Sequence, residues 1–216
     1  MSMPLPQPIP NTVSESQWAA LGVSRESLMR LEALVSVAAV WQERINLISP
    51  STLPEIWHRH VLDSAQLIPL LPKNTIRIAD LGSGGGFPAL VLAAVHAAEI
   101  HMFEANAKKV AFMEEALRKM GVTAVVHRQR LEQNIAPPNM PDVQVVTARA
   151  FAPLTELLGY AAPFMAKGAK GLFHKGQDVD TELTAAAKAW KITALKHSSL
   201  TDSRSVILEV KEMSLC

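Results

Sequence analysis

The sequence predicts an α/β fold: a mostly parallel sheet covered by helices, with a helical layer ahead of it and an antiparallel hairpin at its end. Three observations carry this. Short apolar runs alternate with helical patterns from Ile76 onward. A glycine-rich turn, Gly82-Ser-Gly-Gly-Gly86, directly follows the first of those runs. Two strand-like segments, Ile192 to Lys196 and Ser205 to Val210, then succeed one another near the end of the chain, as the arms of a hairpin would. Parallel neighbours need a crossover, usually a helix, so strand–helix alternation implies a parallel sheet with both faces covered.

Taken in order, residues 1–11 are proline-rich and are expected to form a disordered tail. Ser14 with Gln17 reads as a capping box opening a short helix that Gly22 ends. Ser24 caps a longer helix, in which Leu28, Leu31, Leu34, Val35, Ala38, Trp41 and Ile45 recur at helical spacing. The turn Ser49-Pro50-Ser51 leads to a third helix, Leu53 to Leu67, stopped by Pro69 and Pro72. Residues 12–72 are thus a helical layer packed on the sheet-based core of residues 73–216, the two forming one structural domain. In that core the strands are Ile76–Leu81, Ile100–Phe103, Thr123–His127, Val143–Thr147 and Gly171–His174. The intervening helices are Phe87–Ala98, Asn106–Met120, Leu154–Met165 and Asp178–Trp190, and the hairpin closes the chain.

The 216 residues suffice for one domain with a short appendage. Lys and Arg total 21 against 20 acids, and no third of the chain is strongly basic, so composition alone carries no footprint of nucleic-acid binding. The single cysteine, Cys216, cannot form an internal disulfide, which suits a reducing, cytoplasmic compartment. Met1 to Asn11 has neither the basic nor the apolar region of a signal peptide. The longest nearly apolar stretch, Phe87 to Ala98, is too short to span a bilayer, so no membrane role is expected.

The chemistry concentrates in Asp80-Leu-Gly82-Ser83-Gly84-Gly-Gly86. Glycines directly after a strand let the backbone turn sharply and approach a ligand closely, and the next helix offers free N–H groups. Glu104, 22 residues beyond Gly82, can accept both hydroxyls of a ribose. Together they place an adenosine-containing ligand over the carboxyl end of the sheet. A dinucleotide is disfavoured: the third glycine of G-x-G-x-x-G would fall at Phe87, and there is no room for a further catalytic domain. The denser Gly82-x-Gly84-x-Gly86 resembles the loop of S-adenosylmethionine enzymes. Other chemistries fail. Ser83 is preceded by Leu81 where a nucleophile elbow needs glycine, and no Walker sequence exists. His58 and His60 lack a third ligand and read as ordinary surface histidines, so no metal is expected. His60, Asp63 and Ser64 share one helical face and read as a helix-to-sheet contact or a substrate surface. Met113, Leu117 and Met120 are core, and Lys108, Lys109, Arg118 and Lys119 a solvated face.

Several strings then align in order with one family: Asn46-Leu47, Arg59-His60-x-x-Asp63-Ser64, Gly82 to Pro88, Glu104 with Lys108-Lys109, Arg149-Ala-Phe-Ala-Pro-Leu154 and Lys175-Gly176. Over roughly residues 20–210 the chain resembles the small-subunit ribosomal RNA guanine-N7 methyltransferases, the glucose-inhibited division protein B family. It departs from that pattern at Ile48, Ala89, His174 and Ser205, where the family usually has threonine, glycine, leucine and histidine. The resemblance implies a Rossmann-like class I methyltransferase fold, with S-adenosylmethionine as cofactor. It implies methyl transfer to one guanine N7 in the 530 loop of 16S rRNA, with that rRNA or the small ribosomal subunit as partner; a monomer is expected. By position, Gly82 and Phe87 would line the methionine and ribose part of the cofactor, Glu104 would hold the ribose, and Leu131 and Glu132 would flank the adenine. Arg149 would sit at the junction of cofactor and substrate; Arg149, Lys175 and Arg204 would position the cofactor carboxylate or RNA phosphates, with His60, Asp63 and Ser64 closing the cofactor side. The rivals are a small-molecule methyltransferase on the same sheet and a ribosome-binding module without catalysis.

Overall fold

The computed structural model describes residues 8–131 and 140–216. Its sheet has seven strands: β1 (Arg77–Leu81), β2 (Glu99–Glu104), β3 (Val125–Arg128), β4 (Val145–Arg149), β5 (Lys170–Lys175), β6 (Trp190–Ser198) and β7 (Val206–Leu215). Their order is β3-β2-β1-β4-β5-β7-β6. The first five run parallel, and β7 pairs antiparallel with both β5 and β6. The parallel sheet and closing hairpin are as expected, each strand's bounds shifting by a few residues except that β7 runs on to Leu215. Strand order reverses between β1 and β4, and the crevice above such a reversal is where open α/β sheets bind ligands.

The period-two alternation of β1 divides the core. Ile78 faces one apolar layer, with Ile100, Met102 and Val145, while Ala79 and Leu81 face the other, with Phe103, Val146 and Phe173. The first layer packs against α4 (Ala89–Val95), α5 (Ala107–Met120) and the N-terminal elements; the second packs against α6 (Leu154–Met165) and α7 (Val179–Ala186). The N-terminal layer is therefore part of the core. It begins with α1 (Glu15–Ala20), opened by the Ser14–Gln17 capping box, and continues in α2 (Arg25–Gln42), capped by Ser24. Leu31, Leu34, Val35 and Ala38 are buried, and the Trp41 indole reaches across to Glu115 of α5 at 3.1 Å.

Three expectations need correction. The third helix is not a regular one: 3-10 turns at Pro50–Glu55 give way to a π-helical stretch, Trp57–Leu62, and a single α turn, α3 (Asp63–Ala65). Pro54 withholds one donor inside it, and π-helical turns recur at functional sites. The helix expected to run to Trp190 ends at Ala186, because Trp190 already starts β6. Within the expected tail Ile9 is held, the Trp57 indole donating to its carbonyl at 2.9 Å; residues 1–7 lie outside the described residues.

Candidate active site

The turn after β1 is shaped by its glycines. Gly82 has φ +64°, and a Cβ there would stand 2.0 Å from the Phe151 ring, so two demands converge on one residue. A Cβ on Gly85 would meet the Leu47 carbonyl oxygen at 2.5 Å. Gln42 holds that approaching segment: its Oε1 accepts the Leu47 and Ile48 N–H groups at 3.0 and 3.1 Å, and its Nε2 donates to the Ile48 carbonyl at 2.8 Å. The Ser83 N–H donates to the Phe103 carbonyl of β2 at 2.8 Å, fixing the loop over the neighbouring strand. Glu104 ends that strand. Its Oε2 accepts the Gly84 N–H at 2.9 Å and its Oε1 the Asn106 N–H at 2.7 Å, which leaves each oxygen one lone pair for a ligand.

Two adjoining clefts flank this loop. One, about 250 Å³, is walled by Gly82, Gly84, Glu104, Lys109, Leu131 and Phe151. The other, about 280 Å³, is walled by Leu47, His60, Ser83, Gly84, Phe87 and Arg149. Lys109 borders both, so it belongs to the site and not to the solvated face expected of it. His60 is buried against Phe87, ring centroids 5.2 Å apart, with Nε2 2.8 Å from the Thr52 hydroxyl. Burial, then the nearby Arg149 charge, lowers its pKa to about 3, so it is a neutral wall and not a surface histidine.

Asp80 lies under the loop rather than in a cleft. Its Oδ1 accepts the Thr147 hydroxyl at 2.6 Å, while Oδ2 makes no hydrogen bond of acceptable geometry among the described residues. Burial raises its pKa to about 6, against the pull of the Thr147 and Ser83 hydroxyls. Gly86 likewise lines neither cleft; a Cβ there would strike the Leu90 side chain at 2.3 Å, so its role is packing α4.

A larger cleft of about 680 Å³ opens beyond the ends of β4 and β5. Its inner wall is a network that joins four parts of the chain. Arg149, the last residue of β4, places Nε 3.3 Å from Asp63 Oδ2 and donates from Nη2 to the Arg59 carbonyl at 2.8 Å. Its Nη1 is buried with no hydrogen-bond partner among the described residues. Asp63 Oδ1 accepts from Gln66 and from the Thr201 hydroxyl, both at 2.7 Å. His174 donates through Nε2 to the Asp63 carbonyl at 2.8 Å, and burial pushes its pKa down. Burial also lowers that of Arg149, with Asp63 opposing, and the guanidinium stays charged. Ala150 next to it adopts φ +50°, a strained conformation for a residue with a side chain. Arg149 borders both the large cleft and the Phe87 cleft, and Ala150 borders all three.

Most of the expected site residues therefore meet at one place. Gly82, Ser83, Gly84, Phe87, Glu104, Leu131, His60 and Arg149 surround the paired clefts, and Asp63 and Lys175 line the large one. Ser64 does not belong: it is fully buried, its hydroxyl donating to the His60 carbonyl at 2.6 Å, and cannot meet a substrate. Arg204 is exposed and pairs with Asp202 at 3.3 Å at the outer rim. Glu132 lies outside the described residues. Sequence reasoning missed Gln42, Phe151, His174, Glu182 and Thr201 as site-forming residues. Only Phe151 stood inside a string already singled out, and His174 only as a departure from the family pattern; His174 and Thr201 act across more than a hundred residues, Gln42 through one amide, and Glu182 on a helix start 28 residues earlier, and none leaves a local pattern.

The family described as rRNA small subunit methyltransferase G has a model that matches residues 27–210. A protein named ribosomal RNA small subunit methyltransferase G from Paramagnetospirillum magneticum is 47% identical, over 89% of this chain and 92% of its own. One of the same name from Rhodospirillum rubrum is 49% identical, over 90% and 95%. Among solved structures, a ribosomal protein L11 methylase from Lactobacillus delbrueckii subsp. bulgaricus superposes with TM-score 0.55 at 15% identity, over 72% of this chain and 79% of that one. A SAM-dependent O-methyltransferase from Thermotoga maritima does so with TM-score 0.54 at 14% identity, over 83% and 71%. These two likenesses bear on the fold, which is that of the class I methyltransferases; the sequence matches settle the rest, and the chain belongs to the rRNA small subunit methyltransferase G family.

Proposed function

We propose that this protein transfers the methyl group of S-adenosylmethionine to N7 of a guanine in 16S rRNA of the small ribosomal subunit. The observation that carries the reading is the meeting of the paired clefts with the large cleft at Arg149 and Ala150. The residues present fit the cofactor. Glu104, with a free lone pair on each oxygen, would take the ribose hydroxyls, and Leu131 would flank the adenine. The Gly82–Gly85 backbone with Phe87 would border the methionine part, and the unpartnered Nη1 of Arg149 is a donor for its carboxylate.

When bound, the cofactor supplies an electrophilic methyl on its sulfonium. Guanine N7 carries an in-plane lone pair and no proton, so no general base is required. The site accords with that: His60 is neutral and tied to Thr52, and His174 is buried against Asp63. What the protein supplies is alignment and exclusion of water. His60 and Phe87 close one side, and the network around Asp63 fixes Arg149 at the junction. Because N7 lies on the major-groove edge, which is deep and narrow in A-form RNA, the base must be presented unstacked. No helix of the described residues is long and apolar enough to cross a membrane, and we place the enzyme in the cytoplasm, acting on the subunit as a monomer.

The test is transfer of labelled methyl to purified small subunits and to free 16S rRNA, followed by chemical cleavage at N7-methylguanine. Label at one guanine is expected. Incorporation at another atom, or none with cofactor binding intact, would overturn the assignment.

A further inference from the structure

The geometry points to Lys175 and Glu182 as the pair that identifies the base, by reading O6 and N1–H of guanine. This deepens the assignment above and rests on it. Lys175 ends β5 and Glu182 projects from α7, and both line the large cleft beside Ala150 and Phe151. The Lys175 ammonium pairs with Glu182 Oε2 and donates to the Ala152 carbonyl at 3.4 Å. The same Oε2 accepts the Leu154 N–H, the first of α6, at 2.6 Å. Three elements thus hold the pair, whose side chains are only 8% and 26% exposed.

Valence shows what the pair has left. An ammonium has three N–H groups, and two are engaged. Both lone-pair directions of Oε2 are taken, whereas Oε1 accepts nothing among the described residues. One fixed donor and one fixed acceptor therefore stand side by side on the cleft wall. Guanine offers the complement, an O6 acceptor beside an N1–H donor, while adenine offers the reverse, an amino donor beside an N1 acceptor. The target atom makes this edge the sensible one. The commonest protein grip on guanine is a bidentate cation on O6 and N7, and here that would cover the atom to be methylated. A grip on O6 and N1–H leaves N7 open. Selectivity follows because a site built to hydrogen-bond a group rejects the analogue that lacks it.

The experiment uses the full-length protein and small subunits reconstituted with guanine, inosine or 2-aminopurine at the methylated position. Inosine keeps O6 and N1–H and should be methylated within about threefold of guanine, whereas 2-aminopurine keeps N7 but lacks both and should lose about 100-fold in kcat/KM. Rejection of inosine, or equal use of 2-aminopurine, would overturn the reading without any variant. The substitution Glu182→Gln sharpens it. The amide oxygen can keep the Lys175 and Leu154 contacts while its NH2 replaces the free acceptor with a donor. Guanine should then fall about 100-fold and the preference over 2-aminopurine should collapse to less than about tenfold. A pair that merely braces α6 would lower all three substrates alike and leave that preference intact, which also overturns the reading. If wild-type protein methylates no guanine at N7, the functional assignment falls first and the base reading with it.

Discussion

The two ends of the cleft are built by different means. Around Gly82–Gly86 the work is done by backbone: positive φ at Gly82, missing Cβ atoms, and N–H groups gathered on one carboxylate, Glu104. Nearly all of it lies within some two dozen residues of chain. At the ends of β4 and β5 the work is done mostly by side chains, with Arg149 reaching Arg59 across 90 residues and His174 and Thr201 reaching Asp63 across 111 and 138. The first kind of site depends on what is left out of the side chains, the second on charges that must stay paired once buried. They should therefore fail differently.

The largest effect is expected at the side-chain end. In Asp63→Ala the Arg149 guanidinium loses its counter-charge, and the Gln66 amide and Thr201 hydroxyl lose their acceptor. Removing one member of a buried ion pair should cost about 4 kcal/mol, because the remaining charge is stranded. Chemical denaturation checks this. A loss under about 1 kcal/mol would mean that water solvates the network as it does a surface pair, and would erase the distinction between the two ends.

The backbone end should fail by steric strain instead. In Gly82→Ala an L side chain must adopt φ +64°, costing about 1–2 kcal/mol, and the Phe151 ring must leave the new methyl, costing about as much again. A total near 3 kcal/mol is expected, with calorimetric affinity for S-adenosylhomocysteine reduced at least about tenfold as the ring is displaced. Unaltered affinity would show that Phe151 can move without disturbing the cofactor cleft.

This contrast also explains what the sequence could reveal. The strand–turn–helix around Gly82 and the acid at Glu104 were legible because they form a contiguous pattern with a physical reason at each position. The hairpin and the α2 stripe of Leu31, Leu34, Val35 and Ala38 were legible through periodicity. The π-helical stretch Trp57–Leu62 was not, since no residue type signals it, and with it went the true place of His60 and Ser64. Nor could any local pattern predict that Leu154 N–H and Lys175 would share one oxygen of Glu182. The apolar cluster runs from residues 12–72 into the sheet, as helices packed on the core would have it.

The smallest effect separates the two ends by pH. Asp80, beneath the glycine loop, has a pKa raised to about 6, so the folded protein holds its proton more tightly than the unfolded chain does. Its ionisation thus costs stability between about pH 4 and 6, and the full cost persists above. His60, at the junction with the other end, has the opposite sign: with a pKa lowered to about 3, its contribution is present above about pH 6.5 and lost as the pH falls. In Asp80→Asn the Thr147 hydroxyl keeps an acceptor and the buried charge disappears, which should return about 3 kcal/mol above pH 6. The new amide N–H groups sit where Oδ2 found no hydrogen bond, at a cost of about 2 kcal/mol, so a net gain near 1 kcal/mol is expected. The decisive readout is the pH slope. The stability of the variant relative to wild type should rise from pH 4 to pH 6 and then level off, whereas a difference independent of pH would mean that Asp80 titrates alike in the folded and unfolded chain, and one still rising above pH 6 that it keeps its proton in the fold.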